Sequence, residues 1–137
     1  MGWCMSTMQR RKGAAAEREL FGILEEELGI AVKRNLTQTR ERGCDTLDIA
    51  GWAIECKRQE SLQLGAWWAQ ALRQADTAQR RPILFYRQSR QPWRAVVRLH
   101  DVAPAIYEPD HGTTTMDLQA ACQLIRSLAQ IPMFEEA

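Results

Sequence analysis

Leu20, Phe21, Leu24 and Leu28 recur in steps of three and four residues, which puts them on one side of a helix over residues 13–28. Gly29 supplies its stop. Residues 30–36 read as a strand with Val32 pointing inward, and the polar residues 37–45 read as a loop. Two short strands follow, 46–50 and 53–58, joined at Gly51-Trp52. Residues 62–78, rich in Ala, Leu and Gln and free of Pro, predict a second helix. Pro82 opens a strand over 83–86, and a turn around Gln91-Pro92 leads into another over 93–99. Residues 100–112 carry two Pro and a Gly and show no period. Leu118, Ala121, Cys122, Ile125, Leu128 and Ala129 form one stripe of a last amphipathic helix over about 114–130. The order α-β-β-β-α-β-β-α predicts an α/β fold, with helices covering a mixed sheet.

A chain of 137 residues closes one core. Residues 1–12 lack periodicity and read as a flexible arm made basic by Arg10, Arg11 and Lys12, leaving 13–137 as a single domain. No apolar run approaches the roughly 20 residues of a membrane span, and no secretory signal is visible at the N-terminus. Cys4, Cys44, Cys56 and Cys122 are scattered without a C-x-x-C pair. That argues against a zinc site and a disulfide framework and fits a reducing cytoplasm. The net charge of +1 hides a segregation. Residues 61–98 hold seven Arg against Asp76 alone, whereas residues 99–137 hold six acids against Arg126. A basic middle suits one face turned to a polyanion, and equally a solvated face without a partner.

The residues around Gly51 change the picture most. With a two-residue turn at Gly51-Trp52, Asp48 faces Glu55, Ile49 faces Ile54 and Thr46 faces Lys57. Alternation then puts Leu47, Ile49, Ile54 and Cys56 on a core face, and Asp48, Glu55 and Lys57 on the other. Opposed carboxylates repel, and a divalent cation between them reverses the sign of that contribution. Mg²⁺, which Mn²⁺ can replace, takes one or two carboxylates and completes its octahedron with water and substrate phosphate. Lys57 would then stabilise charge building on the phosphate or orient the attacking water. The same parity argues against Asp45 as the partner. The pattern also suits an edge hairpin with ordinary surface charges. Glu17 lies three and four residues before Leu20 and Phe21, on the inward stripe. It is either a first-turn residue favoured by the helix dipole or a site residue facing the sheet.

The segment from Arg11 to Leu20 (Arg11-Lys12-Gly13-Ala14-Ala15-Ala16-Glu17-Arg18-Glu19-Leu20) resembles the first-helix signature of archaeal-type Holliday-junction resolvases and related phage nucleases of the PD-(D/E)XK superfamily. Asp48-Ile49-Ala50 followed by Ile54-Glu55-Cys56-Lys57 resembles the catalytic hairpin of that family, and Gln70 falls where it often carries a helix glutamine. The resemblance covers about residues 10–98. It implies a restriction-endonuclease-like αβββαβ core with an extra C-terminal helix here, and Mg²⁺-dependent hydrolysis of DNA by a homodimer. It implies metal ligation by Asp48, Glu55 and the Cys56 carbonyl, and help from Glu17 through water or a second metal. Lys57 is then the catalytic cation, and Gln70 orients the site. The chain departs from the family in a shorter hairpin, in Leu47 where the family name has Pro, and in an acidic C-terminal helix.

The stretch from Tyr86 to Arg94 interleaves aromatic and basic residues on a turn, so Arg87, Arg90 and Arg94 are candidate phosphate contacts together with Arg10, Arg11 and Lys12. One of Trp67 and Trp68 must leave the main stripe of its helix; core packing suits one of the two, and a subunit or DNA contact the other. The apolar stripe of the last helix suits either a sheet cap or a dimer seam. His100 and His111 lack partners at ligand spacing. The favoured expectation is an endonuclease for branched or junction DNA. Its rivals are a related nuclease of flaps, nicks or duplex DNA, and a DNA-binding module with a vestigial nuclease fold.

Overall fold

The computed structural model describes residues 7–34, 45–46 and 48–129, without the side chains of residues 7–12. Helix α1 (Thr7–Leu28) starts well before Gly13, so residues 7–12 of the expected flexible arm are helical. Met, Gln, Arg and Lys are all good helix formers, and Gly13 inside a helix costs only about 1 kcal/mol. The rest of the arm, Cys4, Cys44, Leu47 and the far end of the last helix lie outside the described residues. Ala16, Leu20, Leu24 and Leu28 step by four along α1 and are buried together with Phe21. Gly29, at φ 70°, ends the helix and returns its N–H to the Glu25 carbonyl at 2.8 Å.

The expected strand after α1 does not form over 30–34. Its backbone donors are taken by side chains instead: Val32 N–H donates to Glu25 Oε1 at 2.9 Å, and Lys33 N–H to Asp48 Oδ2 at 2.6 Å. Val32 itself is buried, as its place in the sequence predicts. The next expected strand, 46–50, is reduced among the described residues to one bridge, Thr46 to Ile54.

The sheet is built from β1 (Trp52–Arg58), β2 (Arg81–Arg87), β3 (Arg94–Arg98) and β4 (Thr113–Asp117), in that spatial order. Strands β1 and β2 are parallel, with Glu55 beside Leu84 and Lys57 beside Tyr86; β2–β3 and β3–β4 are antiparallel. The parallel pair needs a crossover, and α2 (Leu64–Ala78) provides it. The short helix α3 (Leu99–Val102) opens the region without a period, and β4 follows it. Strand β4 replaces the start of the expected last helix, because three β-branched Thr in succession favour an extended chain. Helix α4 (Leu118–Leu128) begins where the Asp117 carboxylate accepts the Ala120 N–H at 2.7 Å.

Period-two burial divides the sheet cleanly. Ile54, Cys56, Ile83, Phe85, Ala95 and Val97 face α1 and α4 in the main core. Ala53, Leu84 and Val96 face α2, against Ala75, Ala71 and Trp67. Trp68 is half-buried against the same α2 cluster, so both indoles of the Trp67-Trp68 pair pack inside this chain. The α4 stripe, Ala121, Cys122 and Ile125, closes the main core beside α1, with Leu118 and Leu128 packed at its margin. That stripe is a sheet cap and is spent inside the chain. The fold is the expected α/β class, a mixed sheet flanked by helices with a C-terminal helix added. Among the described residues, no helix is long and apolar enough to cross a membrane.

Candidate active site

Glu55 lies in the middle of β1, on the face shared with Ala53 and Lys57 and turned toward α2. Only 2% of it is exposed. A carboxylate there requires a strong reason, because burial disfavours the charged form. Its pKa is raised from 4.5 to about 9, first by burial and then by the neighbouring Asp45 carboxylate; the Lys57 ammonium opposes this and Glu17 adds to it. The Oε1 atom of Glu55 is buried without a hydrogen-bond partner. Gln74, one turn beyond Gln70 on α2, has a buried Oε1 in the same condition. Gln70 is half-buried.

The register of the arm before β1 differs from the expected one. The turn runs from Ile49 to Trp52, closed by Trp52 N–H to the Ile49 carbonyl at 3.1 Å. Gly51 is its third residue, at φ 82°, where a type II turn demands a positive φ. Ile49 and Trp52 are both fully buried, which anchors the turn at both ends. Thr46 pairs with Ile54, where Thr46 opposite Lys57 was expected; of this three-residue offset the turn supplies two residues and the third is taken up before Ile49. This offset is an odd number of residues, and an odd slip exchanges the two faces of a strand. Asp45 now stands across from Glu55: its N–H donates to the Ile54 carbonyl at 2.8 Å, and its Oδ2 accepts the Cys56 N–H at 2.7 Å. Asp48 does not face Glu55; it is exposed, and its Oδ2 holds the Lys33 N–H. The parity argument against Asp45 is thus overturned.

In an extended strand the N–H and C=O of one residue leave on the same side. The Cys56 N–H points to Asp45, so the Cys56 carbonyl leaves β1 on that side as well, away from β2. The Cys56 thiol is buried in the core and its pKa is pushed up, mainly by burial, which makes it an inert thiol. Glu17 is half-buried and paired with Arg34. Lys57 is half-buried.

Among the described residues, no three His, Cys, Asp or Glu side chains gather closely enough to hold a metal ion alone. Asp45, Glu55 and the Cys56 carbonyl converge on one side of β1, and the orphaned Glu55 Oε1 is a hard oxygen without a partner. These residues fit a divalent cation.

The arginines expected at DNA divide into two groups. Arg90 and Arg94 are exposed. Arg87 is drawn inward: it pairs with Glu19 and donates Nε–H to the Gln91 carbonyl at 2.8 Å. Arg10, Arg11 and Lys12 lie on the first turns of α1, and their side chains are outside the described residues. Glu19 was not singled out from sequence, yet it also accepts Arg58 Nη1 at 3.3 Å and the Trp93 indole N–H at 3.0 Å. Asp101, also missed, is buried and bidentate to Arg98 at 2.9 Å on both oxygens. The spacing Arg98-x-x-Asp101 was the available signal for it.

The chain was compared with known families, curated proteins and solved structures. Residues 8–126 match the family model described as "Phage putative PDDEXK endonuclease". No curated protein matches the sequence. A Holliday junction resolvase, Hjc of the archaeal hyperthermophile Archaeoglobus fulgidus, shares 20% identity over 90% of this chain and 99% of its own, with a TM-score of 0.48. The family match spans nearly the whole described chain, and with α1, β1 and the Glu55–Lys57 segment inside it, this chain belongs to the phage PD-(D/E)XK endonuclease family.

Proposed function

We propose that this protein is a metal-dependent endonuclease that hydrolyses DNA phosphodiester bonds, with selectivity for branched DNA of the four-way-junction kind. The observation that carries the reading is Glu55, a buried carboxylate with an unpartnered oxygen, beside Asp45 and Lys57. Such a group is costly in a scaffold and useful where a cation and a phosphate meet. Asp45, Glu55 and the Cys56 carbonyl would hold Mg²⁺ or Mn²⁺. The bound ion supplies Lewis acidity toward the phosphate and lowers the pKa of water.

The chain's own residues do the rest. Lys57, two residues past Glu55 on the same face, neutralises charge that develops on the phosphate oxygens. Glu17 contributes a second acidic group at the margin, acting through water, with Arg34 fixing its orientation. Gln70, on the helix that covers this face, orients the site. Asp48 serves the scaffold by tying down the Lys33 backbone. Exposed Arg90 and Arg94, at the turn between β2 and β3, contact DNA phosphates. A homodimer supplies the paired cuts that a near-twofold junction requires.

Nicking of supercoiled plasmid with Mg²⁺ and with chelator tests the enzyme. Cutting that depends on metal is the expected result, and DNA binding without cutting would leave a binding module in its place. A four-way junction, a flap and a linear duplex compared at equal concentration test the selectivity. Equal rates on all three would refute the junction preference while leaving the nuclease intact.

A further inference from the structure

At the other end of β1, away from Lys57, a cleft of about 750 Å³ opens between the last turns of α2, the start of β2 and α3. Arg81 and Arg98 line it together with Arg80, Asp76 and Asp101, and Leu72 of α2, Pro104 and Leu128 of α4 are among its apolar residues. That volume lies within the range of small-molecule sites, roughly 300–1,000 Å³, and is more than a bare phosphate fills.

Arg81 and Arg98 are not equivalent. Arg98 satisfies both oxygens of buried Asp101 at 2.9 Å, so this pair is internally complete. Arg81 stands 3.6 Å from the same carboxylate, beyond hydrogen-bond reach, and stacks 5.9 Å over the Trp52 ring. Among the described residues it makes no side-chain hydrogen bond, and its side chain is 38% exposed. Both arginines are ion-paired with Asp101, Arg98 tightly and Arg81 loosely. Arg81 is a guanidinium held loosely by Asp101 through Nε and by the Trp52 ring, with its Nη donors unspent among the described residues, which suits capture of a phosphate. His100 donates or accepts through Nδ1 at the Tyr107 carbonyl, 2.8 Å away, which fixes the ring and leaves Nε2 as its second polar atom.

We infer that this cleft binds a nucleotide unit, with Arg81 on its phosphate and Leu72, on the α2 side, against its base. The site uses neither Glu55 nor a metal, so it stands or falls separately from the hydrolytic reading. The unit is either a free mononucleotide or one residue of a DNA strand, and the two are separable by experiment.

Calorimetric titration in chelator, with Glu55→Gln as the background, gives the test. The probes are deoxyadenosine monophosphate, deoxyadenosine, inorganic phosphate and a single-stranded oligonucleotide of about eight nucleotides. The monophosphate should bind, and Arg81→Gln should weaken it by about tenfold or more, the worth of a charge-assisted hydrogen bond. Leu72→Trp, which fills the cleft from its rim, should weaken it too, with an unchanged circular dichroism spectrum. Oligonucleotide binding that falls in both variants, with no binding of the monophosphate, assigns the cleft to a DNA strand and supports the inference equally. Affinities untouched by either variant would overturn it, as would deoxyadenosine or inorganic phosphate binding as well as the monophosphate, or wild-type cleft residues capturing no probe.

Discussion

Replacing Glu55 by Gln should make the metal-free protein more stable at neutral pH and remove most of its pH dependence. In the unfolded chain Glu55 ionises near 4.5, whereas in the folded protein burial and Asp45 raise its pKa to about 9. Between those values the folded state holds a proton that the unfolded state has released. Stability therefore falls as pH rises through this window, by up to about 1.4 kcal/mol per pH unit. At pH 7.5 the window has been crossed for three units, so the cost is on the order of 4 kcal/mol. Glutamine keeps the shape and cannot ionise, although its own buried amide offsets about 1–3 kcal/mol of the gain. Urea denaturation in chelator from pH 5 to pH 8 reads the difference directly. Wild type should lose stability across that range and Glu55→Gln should stay nearly level, and added Mg²⁺ should stabilise wild type alone. Parallel pH profiles, or a Glu55→Gln protein less stable than wild type at pH 8, would refute the reasoning.

The register offers a sharper contrast between two aspartates. Asp45→Asn should lower cleavage by about a hundredfold or more, since it weakens a metal ligand, while Asp48→Asn should cut within a few-fold of wild type and lose only about 1 kcal/mol of stability through the Lys33 N–H. Arg90 holds φ 65°, a left-handed conformation that glycine adopts freely, so Arg90→Gly should stabilise the fold by about 1 kcal/mol. The same change should weaken DNA binding and reduce the log–log salt slope by about 0.9, and an unchanged slope would remove Arg90 from the DNA face. Asp101→Ala should cost about 2 kcal/mol by denaturant midpoint, because Arg98 loses both acceptors but retains partial contact with water.

Much of this arrangement was legible in the sequence, and the misses have physical causes. The α1 stripe, the buried β1, the crossover helix and the core face of α4 follow from periodicity, which local side-chain spacing records faithfully. Glu17 and Glu55 drew attention because acids on inward or opposed positions violate the pattern of a plain scaffold, and Lys57 because it shares a strand face with Glu55. The partner of Glu55 was missed because the turn moves the register by two residues and one more is taken up between Thr46 and Ile49, which makes the slip odd. Gly51 takes the third turn position rather than the second, and Ile49 and Trp52 pull the chain inward on either side. The strand expected after Gly29 failed because Glu25 and Asp48 side chains captured its donors, a long-range event with no local signal. The basic middle looked like one polyanion face, yet Arg98 pairs with Asp101 three residues on and folding brings distant Glu19 to Arg87, so part of that charge is spent inside the chain.

The central claim is that Asp45, Glu55 and Lys57 form one metal-dependent hydrolytic site. Single-turnover cleavage of a four-way junction, run with Mg²⁺ on wild type, Asp45→Asn, Asp48→Asn, Glu55→Gln and Lys57→Ala with junction binding measured in parallel, tests it most directly. The account predicts that the Asp45, Glu55 and Lys57 variants bind the junction and fail to cut, while wild type and Asp48→Asn cut. Full cleavage by Glu55→Gln, or loss of cutting in Asp48→Asn with Asp45→Asn still active, would contradict it.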